Sequence, residues 1–307
     1  MRIISFARKC KLLVPGGLAF FLISLASVVA SESPQSDEPE TKLQVFVSIM
    51  PQAFFVEQIA GDLVEVEVLV GPGQSPATYE PSPKQMTRLA ASRLFFYIGV
   101  PFEKHLVEKV QKTFKDLKLI DTRQGITLRA MEGHDHDGHE HEDGRDPHIW
   151  LSPPLVKIQA ENIFKALSAE DSAREAVYRK NLELLQSRLD SLDMAIEQKI
   201  KPYAGRKFYA FHPSYGYFAD RYGLTQVAVE TEGKEPSARQ LAALIEQAKA
   251  EDIRIIFVQP EFAVKSAVTI AAAVNGRVVK LDPLARDYFN NLTFMADEMV
   301  RALSIKE

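Results

Sequence analysis

The stretch LQVFVSIMPQAFFVEQIAGDLVEVEVLV, residues 43–70, decides the fold. Leu43–Ile49 is apolar and rich in β-branched residues, which predicts a strand. Gln52–Ala60 has helical composition and is closed by Gly61, and Leu63–Val70 alternates apolar and acidic residues as a second strand. A strand, a short helix and a strand in direct succession specify a unit of parallel sheet with a crossover helix.

The same alternation continues outward from this unit. A breaker-rich loop, GPGQSPATYEPSP, follows at 71–83, and Ser82-Pro83 predicts an N-cap with proline at the first position of a helix reaching about Ser92. A strand at Leu94–Ile98, a helix at Glu103–Thr113 and a strand at Leu117–Ile120 complete the first series. Further on, Tyr178, Leu182, Leu185, Leu189, Leu192 and Ile196 recur at spacings of four and three, which is one apolar stripe on one long packing helix ending near Pro202. A helix of about 30 residues is roughly 45 Å long, enough to run the length of a two-lobed molecule.

A second series then begins. Strands are predicted at Lys207–Phe211, Gln226–Glu230, Ile253–Val258 and Val278–Leu281. Helices are predicted through Tyr217, over Ala238–Ala250 behind a Ser237/Gln240 capping box, over Ala263–Val274 and from about Tyr288. The halves repeat in order of elements but not in sequence. The fold class is therefore α/β: two lobes, each with a mostly parallel sheet flanked by helices, joined by one long helix.

The first 30 residues carry Arg2, Arg8, Lys9 and Lys11 and no acid, then an apolar run from Leu18 to Ala30 and small residues before Ser31. That pattern predicts a cleaved secretory signal at 1–30 and a periplasmic protein, with residues 31–42 as a disordered linker. The N-terminal lobe then spans 43–170 with a His-rich loop at 133–144, the connecting helix 171–202, and the C-terminal lobe 203–307. The single cysteine, Cys10, lies in the signal, so thiolate metal sites and a disulfide-linked partner are excluded for the exported chain. Cleavage would take the net charge from −4 to −8 by removing those four cations, which argues against nucleic acid and anionic membranes as partners. The chain is expected to be a monomer.

Histidine placement points to a transition metal. His134, His136, His139 and His141 stand in the tract EGHDHDGHEHEDG, too polar to bury a core and suited to weak, exchanging metal sites. His148 follows in DPHIW, and His212 stands in YAFHPSYGYF just past a predicted strand. Asp282 lies just past another strand, and ligands of open α/β sheets bind outside such carboxyl ends. Two imidazoles and a carboxylate are an ordinary zinc set. Taken singly, His212 also fits a hydrogen-bonded interior position, Asp282-Pro283 a turn, and His148 a capped turn with Asp146. His105 belongs on a solvated helix face, while Phe54, Phe55, Tyr215 and Tyr217 belong in the core.

Four motifs in this order, YEPSP (79–83), DPHIWLSP (146–153), FHPSYGYFADRYGL (211–224) and LDPLA (281–285), resemble those of the periplasmic zinc- and manganese-binding proteins of metal-uptake ABC transporters. The similarity runs from about Leu43 to the C-terminus, and the His-rich tract before DPHIW resembles the zinc-binding branch. The resemblance implies two α/β lobes bridged by a rigid helix, metal in the cleft, and His148, His212 and Asp282 as ligands. Histidine rather than glutamate at 212 favours Zn2+, with Mn2+ or another divalent transition metal as alternatives. Delivery to an ABC-transporter permease with its ATPase is implied, with only modest motion on binding.

The sequence departs from the family at one ligand. A PHTYEP-like segment is expected, and here it is PATYEP, with Ala77 where the first metal histidine would stand. Glu80, a water, or a histidine of the tract can complete the site; otherwise the cleft serves another ligand. Two other functions fit part of the pattern. One is a metal buffer or chaperone, or an adhesin-like surface protein, without a transport role. The other is a two-His-one-carboxylate metalloenzyme with Glu80 or Glu261 as base, although HExxH and nucleophile-elbow motifs are missing.

Overall fold

Apolar β-branched runs and short amphipathic helices set the element order. The structure, a computed structural model, describes residues 42–131, 144–230, 234–262 and 265–304. The predicted signal, the linker up to residue 41 and the tract carrying His134, His136, His139 and His141 lie outside the described residues.

In the N-terminal half the order is β1 (Leu43–Ile49), α1 (Met50–Ala60), β2 (Val64–Val70), α2 (Pro83–Ala91), β3 (Leu94–Tyr97), α3 (Glu103–Thr113) and β4 (Lys118–Asp121). Every strand pair is parallel and the spatial order is β2-β1-β3-β4. β1 pairs with β2 from Leu43 opposite Val64 to Ile49 opposite Val70. As a central strand it is apolar on both faces: Val45, Phe46, Val47 and Ile49 are all buried. α2 starts as the sequence predicts, with Ser82 Oγ accepting from the Gln85 amide at 3.3 Å.

Two helices link the halves, α4 (Pro153–Glu170) and α5 (Glu175–Ile200). α4 has no counterpart in the sequence prediction, which assigned nothing between DPHIW and the long helix. Its buried face, Val156, Ala160, Ile163, Phe164 and Leu167, nonetheless has helical spacing, and a buried Gln159 interrupts it. α5 has 26 residues, hence about 39 Å. All six residues of the predicted stripe are buried. α5 packs on α1, on α4 and on the C-terminal helix, so it touches helices of both halves.

The C-terminal half repeats the plan with β5 (Lys207–Ala210), α6 (Gly216–Tyr222), β6 (Thr225–Ala228), α7 (Ala238–Ala250), β7 (Ile255–Val258), α8 (Lys265–Ala273), β8 (Arg277–Lys280) and α9 (Tyr288–Ser304). All pairs are again parallel, in the order β6-β5-β7-β8. In both sheets the chain moves one way from the first strand and then returns across it. The gaps between β1 and β3 and between β5 and β7 are therefore the switch points where such sheets bind ligands. Phe55 and Tyr215 are buried, Tyr217 nearly so, and Phe54 packs beside Tyr288 with ring centroids 6.3 Å apart. His105 is exposed on α3. Among the described residues no helix is long and apolar enough to cross a membrane.

Candidate metal centre

A cavity of about 240 Å³ opens between the carboxyl ends of the two sheets. Ala77 and Pro76, from the loop after β2, and Val100 and Pro101, from the segment after β3, line its N-terminal side. His212, Glu230 and Glu261, which follow β5, β6 and β7, line its C-terminal side. His148 and Trp150, from the DPHIW segment before α4, close the seam.

The two histidines are brought together. Their ring centroids are 5.2 Å apart at 70°, and each is held from behind by a buried acid. His148 Nδ1 lies 2.7 Å from Asp146 Oδ1, which also accepts the His148 amide at 2.9 Å. His212 Nδ1 lies 2.7 Å from Glu230 Oε1. A carboxylate at Nδ1 holds the proton there and leaves the Nε2 lone pair for a cation, the usual support of a metal-bound imidazole. Burial lowers the pKa of His212 below 6.5, against the opposing pull of the Glu230 hydrogen bond, so its ring is neutral at pH 7.

The segments carrying these rings are pinned across the fold. Tyr217 donates its hydroxyl to the Asp146 carbonyl at 2.8 Å, and Trp150 Nε1 donates to the Pro283 carbonyl at 2.7 Å. Asp146 is fully buried, and its second oxygen faces Arg129 Nη1 at 3.5 Å. Gly216 makes this possible, because a Cβ there would overlap the Arg129 guanidinium. Gln259, also fully buried, accepts from the His212 amide and donates to its carbonyl at 2.7 Å. Phe262 stacks on the His212 ring at 4.8 Å.

The remaining predicted ligands are placed differently. Asp282 follows β8 and is half-buried; one oxygen accepts from the Leu284 amide at 2.8 Å, the turn role its Asp-Pro sequence suggests. Its neighbours Pro283 and Leu284 line the cavity. Burial raises the Asp282 pKa, and burial together with the Asp282 charge pushes Glu261 up to about 7. Glu80 is exposed and does not line the cavity. The preceding Tyr79 is the residue that turns inward, its ring 5.0 Å from Phe102. Among the described residues no three His, Cys, Asp or Glu side chains converge closely enough to hold a metal as they stand. Asp146, Glu230 and Gln259 escaped the sequence analysis as site residues. Asp146 had a local signal, lying two residues before His148, whereas the other two reach His212 only through strand pairing.

Two matched α/β halves, a bridging long helix and an imidazole-lined cavity between the carboxyl ends of the two sheets define a solute-binding protein. The chain belongs to the family described as "ZnuA: Zinc-uptake complex component A periplasmic", whose model matches residues 45–302. It is 30% identical to the high-affinity zinc uptake system protein ZnuA of Bacillus subtilis, over 87% of this chain and 86% of that one. It is 32% identical to the zinc-binding lipoprotein AdcA of Streptococcus pneumoniae over 90% of this chain, which spans 55% of AdcA. A crystal structure of a zinc-bound ZnuA deletion mutant superposes with a TM-score of 0.81 at 40% identity, covering 87% of this chain and all of the other. The family consists of substrate-binding components of metal-uptake ABC transporters, not of enzymes.

Proposed function

We propose that this chain captures Zn2+ in the cavity between its two sheets and delivers it to an ABC-transporter permease. The observation that carries this is the pair of imidazoles, each anchored at Nδ1 by a buried acid and facing the other across 5.2 Å. Imidazole nitrogen donors held this way suit zinc. His148, His212 and Asp282 are its ligands. The His-rich segment, outside the described residues, serves as a low-affinity collector. The protein works as a periplasmic monomer exported by its N-terminal signal.

Transport follows from metal-dependent docking. Zinc-loaded protein is expected to stimulate ATP hydrolysis by its permease–ATPase complex in proteoliposomes. A His148→Ala, His212→Ala double variant is expected to leave it at the unstimulated level. Equal stimulation by the double variant would remove the cavity from transport.

A further inference from the structure

We propose that Glu261 supplies the oxygen donor that completes the metal site in place of the side chain missing at Ala77. This rests on the cavity being the zinc receptor. The placement comes from sheet order. β7 lies between β5 and β8, so Glu261, three residues beyond β7, emerges between the strand ends that carry His212 and Asp282. Glu261 lines the same cavity as His148, His212 and Ala77. The next residue, Phe262, is stacked on the His212 ring, which holds this turn against the site.

The charges around it call for a cation. Among the described residues no basic side chain pairs with Glu261, and its carboxylate accepts from its own backbone amide. The Asp282 carboxylate acts on it as a like charge. Glu230, 6% exposed and on the same lining, has a second oxygen that is buried without a hydrogen-bond partner. The basic residue among the described lining is Arg145, which is exposed and donates to the Leu128 carbonyl at 3.2 Å. Neighbouring half-buried acids and an orphaned oxygen are costly unless a positive charge joins them. A divalent ion held by His148 and His212 supplies that charge, and a carboxylate oxygen is a normal zinc donor. Turning the Glu261 side chain from its own amide into the cavity, with Asp282, gives two nitrogen and two oxygen donors.

The test compares full-length mature protein with Glu261→Gln, by zinc titration against a chromophoric chelator and by Co2+ binding followed in the visible region. Glu261→Gln is expected to weaken zinc binding roughly 100-fold, at least as much as the loss of a group that only supports a ligand. It is also expected to change the cobalt band at saturation, because a donor atom changes. The metal-free variant is expected to melt at or above the wild-type temperature, since a like charge beside Asp282 is gone. In an Ala77→His background the Glu261→Gln loss is expected to shrink, the new imidazole taking the place Glu261 fills. A Glu261→Gln affinity within twofold of wild type with an unchanged cobalt band would overturn the assignment. Tight zinc binding that survives His148→Ala with His212→Ala would overturn the cavity reading beneath it, a result obtained without touching Glu261.

Discussion

Replacing Asp146 by Asn tests how the histidines are aimed. Asp146 is fully buried and its Oδ1 takes two hydrogen bonds from His148, from Nδ1 at 2.7 Å and from the amide at 2.9 Å. Asn can still accept at its carbonyl oxygen, but its amide group can donate to Nδ1 and move the imidazole proton to Nε2. The lone pair facing the cavity is then lost for part of the population. Removing such a supporting carboxylate typically costs 10–100-fold in metal affinity, about 1.4–2.7 kcal/mol. Stability should also fall, because one charge-assisted hydrogen bond weakens and Arg129 faces a neutral group at 3.5 Å. Arg129 keeps Asp220 at 3.1 Å, which limits that loss to about 1–3 kcal/mol. Calorimetric zinc titration with chelator competition gives the first quantity, and thermal unfolding of the metal-free protein gives the second. The Tm should drop by roughly 2–4 °C per kcal/mol. Zinc affinity within twofold of wild type would refute the role of Asp146 in fixing the His148 tautomer.

Other outcomes follow from the same geometry. Ala77→His places an imidazole on the cavity lining with His148 and His212 and should make zinc affinity less dependent on Glu261, read by chelator competition; a Glu261→Gln loss unchanged in that background would mean residue 77 does not face the ion. His212 is held neutral below the usual 6.5, so the unfolded chain binds its proton first as pH falls. The contribution of His212 to metal-free stability should therefore be lost as pH falls below about 6.5, and His212→Asn should remove that component of the Tm–pH curve. Glu103 is the opposite case: it is buried beside the Ile98 and Gly99 amides and burial pushes it up to about 7, above its usual 4.5. Its folded state holds the proton more tightly, so stability should decline as pH rises from 4.5 through 7. Glu103→Gln should make that decline shallower, the rest coming from Glu261, which is also pushed up to about 7; a curve identical to wild type would show that Glu103 contributes nothing to it.

Local chemistry made much of this legible. Ser82 and Ser237 cap the helices their sequences predict, each through the glutamine three residues on. The α5 stripe was plain because one face of one helix repeats every three or four residues. His148 and His212 stood out because imidazoles sit beside Asp-Pro and strand-end signals. Glu230 and Gln259 were hidden because they reach His212 across 18 and 47 residues of chain. Parallel pairing of β5 with β6 and β7 brings them there, and neither neighbourhood carries a local mark of it. Glu80 illustrates the converse. Nearness in sequence to Ala77 suggested it, but the inward turn of Tyr79 leaves it exposed.

The central claim is a zinc receptor in the cavity despite Ala77. Its most direct measurement is a calorimetric zinc titration of the mature protein, beside a variant lacking residues 133–144 and the His148→Ala, His212→Ala double variant. The prediction is one tight site that survives the deletion and vanishes in the double variant. Zinc bound only weakly, and only when residues 133–144 are present, would contradict it and mean that the cavity serves another ligand.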